Sequence, residues 1–194
     1  FSVHLQFLEQ FFHEILPGID PQALEYLNNL IIDLYASKNI NSSTDFSKLK
    51  AKDYPIFDEL YDLINTRLSK AKVDYDVNNL RILLNFVSKF AHEGRDSNLW
   101  NGESKLTVKE NFTVFNFRSL LANKNGVISN AQMLLVLKWL DNEIIKNRDF
   151  NIKHNTNRKI IIAIDEAHVF IDPKFPVALD FMYQLAKRIR KYNG

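Results

Sequence analysis

The sequence predicts an α/β protein in which a large all-helical lobe precedes a partial parallel sheet. Residues 1–96 carry apolar side chains at helical spacing throughout, whereas residues 97–194 contain short β-branched runs that alternate with long helical stretches. The charge changes at the same place. Residues 1–96 hold ten Lys/Arg and fourteen Asp/Glu, a net −4, and residues 97–194 hold fifteen and nine, a net +6. We therefore expect two domains, 1–96 and 97–194, with the more basic surface on the second.

Four amphipathic helices are predicted in the first domain, at residues 3–16, from Pro21, from about Pro55, and at residues 78–92. Asp20 and Pro21 form a strong start signal, because an acid at the N-cap accepts an early helix N–H and proline fits the first turn. Gly18 lies just past the first helix, where a left-handed cap is common. We expect the aromatic stripes of these helices to form a core and not a ligand site.

The second domain is predicted to alternate strands and helices. Residues 106–108 and 112–117 alternate apolar and polar side chains in the manner of strands. The sequence Ser-Asn-Ala-Gln at 129–132 fits a capping box that opens a long helix. A second apolar run at 159–164 and a last helix from about Pro176 complete a strand–helix–strand–helix order, which is typical of a parallel sheet.

The apolar run at 159–164 ends in two adjacent carboxylates, Asp165 and Glu166. Such a run suits a strand buried inside a parallel sheet, whose carboxyl edge is where α/β folds bind ligands. An aspartate there can hold Mg²⁺ against nucleotide phosphates, and a neighbouring glutamate can orient or deprotonate the attacking water. This pattern is the signature of a Walker B strand in a P-loop nucleotide hydrolase. The alternative is a strand that reaches solvent and caps the next helix with acids.

Two further groups of side chains have a structural and a functional interpretation. His168 could hydrogen-bond near the phosphates, or it could only close the strand. The basic cluster at 187–191 ends the last helix, where cations interact favourably with the helix dipole. The functional alternatives are that Arg190 reaches the γ-phosphate bound by a neighbouring subunit, as an arginine finger, or that the cluster contacts the phosphates of DNA.

Several kinds of site are excluded or missing. The chain has no cysteine, which excludes disulfides, thiolate metal sites and thiol catalysis, and its histidines do not have zinc-site spacing. No apolar run is long enough to cross a bilayer. The phosphate-binding loop Gly-x-x-x-x-Gly-Lys-Ser/Thr is also missing. We therefore expect the chain to be an internal piece of a longer protein, taken from between this loop and the rest of its core.

In the order of its parts the chain resembles the conjugation ATPases of type IV secretion systems, which are RecA-like hexameric motors related to the conjugative coupling proteins. The helical lobe comes first. Leu-Trp-Asn-Gly-Glu-Ser at 99–104 is similar to the family's Phe/Leu-x-Gly-x-Thr/Ser segment, and the chain ends with a stretch similar to the family's Arg-Lys-Tyr-Gly. Between them lie the long helix and the Walker B segment. At 115–117 the chain has Phe-Asn-Phe where the family usually has Phe-Asp-Leu, so Asn116 departs from the acid.

The resemblance implies a partial RecA-like P-loop NTPase sheet with a helical insertion. It implies that Asp165 binds Mg²⁺ and that Glu166 is the catalytic base for ATP hydrolysis in the longer parent. The family's phosphate loop would precede Phe1 and its glutamine sensor would follow Gly194, so the isolated chain is expected to be inactive and to require no cofactor. The implied partners are other secretion-complex subunits, further copies in a hexamer and DNA, and the implied location is the cytoplasm, at the inner face of the cell membrane.

Two other functions remain open on the sequence. Residues 165–168 also spell the DEAH box of helicases, which predicts hydrolysis stimulated by nucleic acid. The size of the helical lobe disfavours that interpretation. The second is a non-catalytic module whose helical lobe, residues 1–95, docks a partner of a membrane-associated secretion complex.

Overall fold

The computed structural model describes residues 1–104, 112–122, 126–169 and 176–191. It divides the chain into two compact units, Phe1–Val114 and Phe115–Gly194. The helices, in chain order, are α1 (Ser2–Ile15), α2 (Pro21–Ser37), α3 (Phe57–Lys70), α4 (Asp74–Val87), α5 (Ser97–Trp100), α6 (Arg118–Ala122), α7 (Gly126–His154) and α8 (Pro176–Lys191). Short 3₁₀ turns occupy Phe46–Lys48, Ala51–Asp53 and Ala167–Val169.

Within these described ranges, no helix is long and apolar enough to span a bilayer. The sequence-based boundary near Asp96 stays a prediction.

The helix starts of the first unit follow from local capping. The Asp20 carboxylate accepts a hydrogen bond from the Gln22 N–H at 2.8 Å, and Pro21 occupies the first turn of α2, which confirms the predicted start. At the start of α3 the Glu59 carboxylate accepts from the Ile56 N–H at 3.0 Å. Gly18 has a φ of +78°, a left-handed conformation that suits glycine after α1.

The core of the first unit lies between α1, α2, α3 and α4, which pack on one another through their apolar stripes. Its aromatic residues form a contiguous group with ring centroids 5.2–5.8 Å apart: Phe11, Phe12, Phe57, Phe90 and Trp100. The predicted helices of this part of the chain and the packing of their aromatic side chains in a core are therefore confirmed.

The second unit is built on α7, which is 29 residues long, and on α8 packed against it. Its buried centre consists of Met133, Leu137 and Ile144 from α7 with Leu185 from α8. The helix begins at Gly126, so the predicted capping box at 129–132 is wrong. Ser129 lies inside the first turn, buried, and its hydroxyl donates to the Leu120 carbonyl at 2.8 Å.

The predicted parallel sheet is not present among the described residues, so the α/β fold and the partial RecA-like sheet are corrected to a helical fold. Residues 112–117 and 159–164 have no regular secondary structure. Because exposed and half-buried side chains alternate along residues 159–164, we call them the extended segment. Residues 106–108 lie outside the described part of the chain. The physical reason is that a strand exists through hydrogen bonds to a neighbouring strand, and apolar periodicity carries no information about that neighbour. The side chains of 159–164 instead alternate, with Ile160 and Ile162 against the α7–α8 core and Ile161 90% exposed.

Candidate active site

The two acids singled out from the sequence lie together in an exposed turn at the end of the extended segment. We call residues 165–168 the acidic turn. The Asp165 Oδ1 accepts a hydrogen bond from the Glu166 N–H at 2.9 Å, and a 3₁₀ turn follows directly. Glu166 has a φ of +53°, a left-handed conformation that is uncommon for a residue with a side chain. Both carboxylates are exposed, so the turn presents them to solvent, where a hydrated cation and a water molecule have access.

His168 belongs to the same group of side chains. Its Nδ1 lies 3.0 Å from the Glu166 Oε2, and both side chains are largely exposed. This contact places the imidazole against the glutamate carboxylate. The structure therefore brings together three of the residues that the sequence singled out: Asp165, Glu166 and His168.

The start of the extended segment is fixed by two asparagines near the end of α7. The Asn147 and Asn151 Nδ2 groups donate to the Arg158 carbonyl at 2.9 and 2.8 Å, and the Asn151 Oδ1 accepts from the Arg158 N–H at 2.9 Å. The Thr156 hydroxyl donates to the same Oδ1 at 2.8 Å. Sequence analysis missed this clamp, although the two asparagines recur at i, i+4 just before a polar loop, a spacing that places both on one helix face.

A buried ion pair joins α7 and α8. Asp141 is only 2% exposed, and the Arg188 Nη1 hydrogen-bonds to both of its carboxylate oxygens. The Lys138 Nζ lies 3.8 Å from the same carboxylate. A buried charge is tolerated when it is paired in this way. The pair joins α7 to α8, and Ile160 and Ile162 pack on the apolar core between these two helices.

Arg190 lies on α8, two residues beyond Arg188, but its side chain is outside the described part of the structure. Its role as an arginine finger stays a prediction. Of the basic cluster at 187–191, Arg188 is engaged by Asp141, and the Lys187 ammonium lies over the Tyr183 ring at 4.1 Å.

The acidic turn offers few ligands to a magnesium ion. Among the described residues, no three His, Cys, Asp or Glu side chains form a group that could hold a metal ion. Mg²⁺ bound with nucleotides usually takes one or two carboxylates and completes its shell with phosphate oxygens and water. One exposed aspartate therefore fits a magnesium ion that arrives with a nucleotide, and does not fit a resident protein-bound metal.

No family model matches the chain, and no curated protein matches it. Among solved structures, the chain is similar to VirB4 of Thermoanaerobacter pseudethanolicus, with a TM-score of 0.84 and 26% sequence identity. The similarity covers 100% of this chain and 47% of that one, so the chain spans about half the length of the VirB4 structure. This similarity supports the relationship to the ATPases of type IV secretion systems that the sequence motifs indicate.

Proposed function

We propose that the chain is part of an ATP-hydrolysing motor that powers conjugative transfer of DNA or protein, or assembly of the secretion channel, in a type IV secretion system. The observation that carries the proposal is the similarity to VirB4 over the whole chain. The exposed acid pair at the end of the extended segment supports it independently. Because the chain spans 47% of the VirB4 structure, the activity is proposed for a longer protein that joins this segment to a phosphate-binding loop.

In this proposal Asp165 and Glu166 have different roles in ATP hydrolysis. Asp165 would hold the magnesium ion of the bound nucleotide, which would supply positive charge beside the phosphates. Glu166 orients the attacking water and accepts its proton. The Glu166 Oε2 faces His168, so we assign the proton to Oε1. Asp165 and Glu166 are adjacent, and the Glu166 N–H donates a hydrogen bond to the Asp165 carboxylate. The oxygens assigned to the metal ion and to the proton therefore lie on one turn.

The proposed motor has partners that follow from the same relationship. Other subunits of the secretion complex and further copies of the protein, in a ring of six, would surround the chain at the cytoplasmic face of the membrane. Arg190 of one copy would complete the site of the next. The net +6 of residues 97–194 supports contact of this half with DNA phosphates.

The test is ATP hydrolysis by the longest gene product that contains residues 1–194. Glu166→Gln keeps the size of the side chain and removes the base, so turnover should fall by about 10²–10⁴, the usual contribution of a general base. Glu143→Gln on α7 is the matched control, because it makes the same chemical change in an acid whose ion pair, within the described part of the chain, is with Lys146. Turnover that Glu166→Gln leaves unchanged would refute the assignment.

A further inference from the structure

The first two helices carry an unusual charge. Residues 1–37, which form α1, α2 and their connection, contain no Lys or Arg and five carboxylates: Glu9, Glu14, Asp20, Glu25 and Asp33. Their net charge is −5, whereas residues 38–194 hold 25 Lys/Arg and 18 Asp/Glu, a net +7. Of these carboxylates, Asp33 forms an ion pair with Arg67 at 2.8 Å. The surface of this helix pair is therefore a concentrated source of negative potential.

A groove runs along this surface between α1 and α2. Its volume is about 210 Å³, and its apolar lining comes from Leu5, Ile31 and Ile32. Ile32 is 42% exposed, although it sits beside buried neighbours. Glu9 and Glu25 stand on opposite helices of the groove, and both are exposed. The groove thus combines an apolar floor with a carboxylate on each side.

The size and chemistry of the groove select the class of occupant. Small-molecule sites usually measure ~300–1,000 Å³, so a groove of about 210 Å³ suits a few side chains of a partner better than a cofactor. Apolar anchors flanked by cations at helical spacing are the complement of this surface, and a helix laid in a groove is a common recognition mode. Nucleic acids and anionic membranes are disfavoured, because the net −5 of the helix pair repels them.

We propose that the α1–α2 groove docks a basic amphipathic helix of a partner protein. Apolar side chains of that helix contact Leu5 and Ile32, and its Lys or Arg side chains pair with Glu9 and Glu25. This binding is separate from nucleotide hydrolysis and does not depend on the acidic turn. The basic helix α8 of a second copy is the rival occupant. It is disfavoured because Arg188 is already bound to Asp141 and Lys187 lies over Tyr183 in its own unit.

The experiment measures binding of a fluorescein-labelled amphipathic Leu/Lys helix peptide to the 194-residue chain by fluorescence anisotropy. The double variant Glu9→Gln/Glu25→Gln should weaken binding about tenfold, the combined effect of two ion pairs at the rim. Glu93→Gln/Glu103→Gln changes the net charge equally, at two exposed glutamates that do not line the groove, and should alter the affinity less than about twofold. Ile32→Gln should also weaken binding. Val73→Gln is its control and should not, because Val73 is 60% exposed just before α4 and does not line the groove.

Three results would overturn the proposal. An equal loss of affinity in Glu9→Gln/Glu25→Gln and in Glu93→Gln/Glu103→Gln would mean that only the net charge of the chain attracts the peptide. Unchanged affinity in Glu9→Gln/Glu25→Gln would place the peptide elsewhere on the chain. Sedimentation velocity that finds a dimer in the wild type, and a monomer in Glu9→Gln/Glu25→Gln, would make a second copy the occupant. Circular dichroism of each variant checks that the helices are intact, and exposed Glu→Gln changes are not expected to unfold them.

Discussion

Asn151 pairs with Arg158 through both ends of its amide. Its Nδ2 donates to the Arg158 carbonyl at 2.8 Å, and its Oδ1 accepts from the Arg158 N–H at 2.9 Å. A neighbouring strand would satisfy the same two backbone groups in this way. A helix side chain thus stands in for a strand partner at the point where the extended segment begins, and fixes the direction in which the chain runs towards Asp165.

Replacing Asn151 should loosen this segment. Asn151→Ala removes hydrogen bonds to Arg158 and Thr156, so we expect a loss of about 1–2 kcal/mol in the free energy of unfolding. Amide hydrogen exchange of residues 159–164 should accelerate. Asn157→Ala, in the adjacent exposed loop, is the control and should change both quantities little. Equal effects of the two substitutions in urea unfolding and hydrogen exchange would contradict the clamp.

The second prediction concerns the stability that the ion pair of the buried Asp141 carboxylate gives the fold. Arg188→Met keeps much of the arginine stem but leaves Asp141 with Lys138 alone at 3.8 Å. Removing one partner of a buried pair usually destabilises by 3–5 kcal/mol, and we expect about 3 kcal/mol because Arg188 is partly exposed. Lys187→Met, which loses only a cation–π contact, should cost less than about 1 kcal/mol.

A double variant separates the two contributions. Asp141→Asn combined with Arg188→Met should be more stable than Arg188→Met alone, because the unpaired buried charge is removed. Urea denaturation of the four members of this cycle measures the coupling. Additive effects of the two single substitutions would mean that the pair contributes no interaction energy.

Tyr35 predicts a loss of stability at high pH. Burial raises the pKa of the Tyr35 hydroxyl far above its ordinary value of 10.0, and Tyr54 adds to the shift. The hydroxyl also lies 2.8 Å from the His4 Nε2. The unfolded chain loses the Tyr35 proton near pH 10, whereas the folded protein keeps it to a higher pH. The stability that the protonated Tyr35 gives the fold is therefore complete below pH 10 and is lost as the pH rises above 10. The free energy of unfolding should therefore fall above pH 10, by up to about 1.4 kcal/mol per pH unit from this group.

The matched substitutions distinguish Tyr35 from general alkaline effects. Tyr35→Phe should flatten the decline above pH 10, although it should lower stability at neutral pH by removing the contact with His4. Tyr75→Phe, at a 52% exposed position, is the control and should leave the slope unchanged. Thermal unfolding between pH 7 and about 11 is the measurement. An identical slope in the wild type and Tyr35→Phe would remove Tyr35 as its source.

Gly94 should tolerate no side chain. A Cβ at this position would lie 2.1 Å from the Ser88 carbonyl oxygen and 2.7 Å from Lys89 backbone atoms, and none of these can move without distorting the end of α4. We expect Gly94→Ala to destabilise by more than about 2 kcal/mol. Gly18→Ala meets nothing within 4 Å and suffers only from its positive φ, so it should cost about 1 kcal/mol. A smaller effect at Gly94 than at Gly18 would contradict the backbone packing.

The helices were predictable because their signals are local. Asp20 and Pro21 decide the start of α2 within three residues of chain, and the stripe of apolar side chains on α1 repeats within its own length. The sheet was not predictable in this way. Residues 159–164 have the composition of a buried strand, but their partner depends on distant parts of the chain, and in the described structure they pack on helices.

The part of the candidate site that the sequence predicts is the part whose residues are neighbours in the chain. Asp165, Glu166 and His168 are close in sequence, so a motif could identify all three. Asp141 was missed although it left a signal, because it lies in the apolar stripe of α7 between Leu137 and Ile144, where a carboxylate needs a buried cation. Nothing in the sequence names Arg188 as that cation, since the pair joins residues 47 positions apart.

The left-handed backbone at Glu166 has a consequence for engineering the protein. Four described residues other than glycine have a positive φ, and three of them, Asn39, His92 and Asn155, are types that tolerate it; Glu166 is the fourth. A glycine at 166 would relieve about 1 kcal/mol of backbone strain. Laboratory evolution for heat resistance would therefore favour Glu166→Gly and discard the carboxylate with the strain. A library screened for thermostability alone would drift away from the acid pair, unless turnover is selected at the same time.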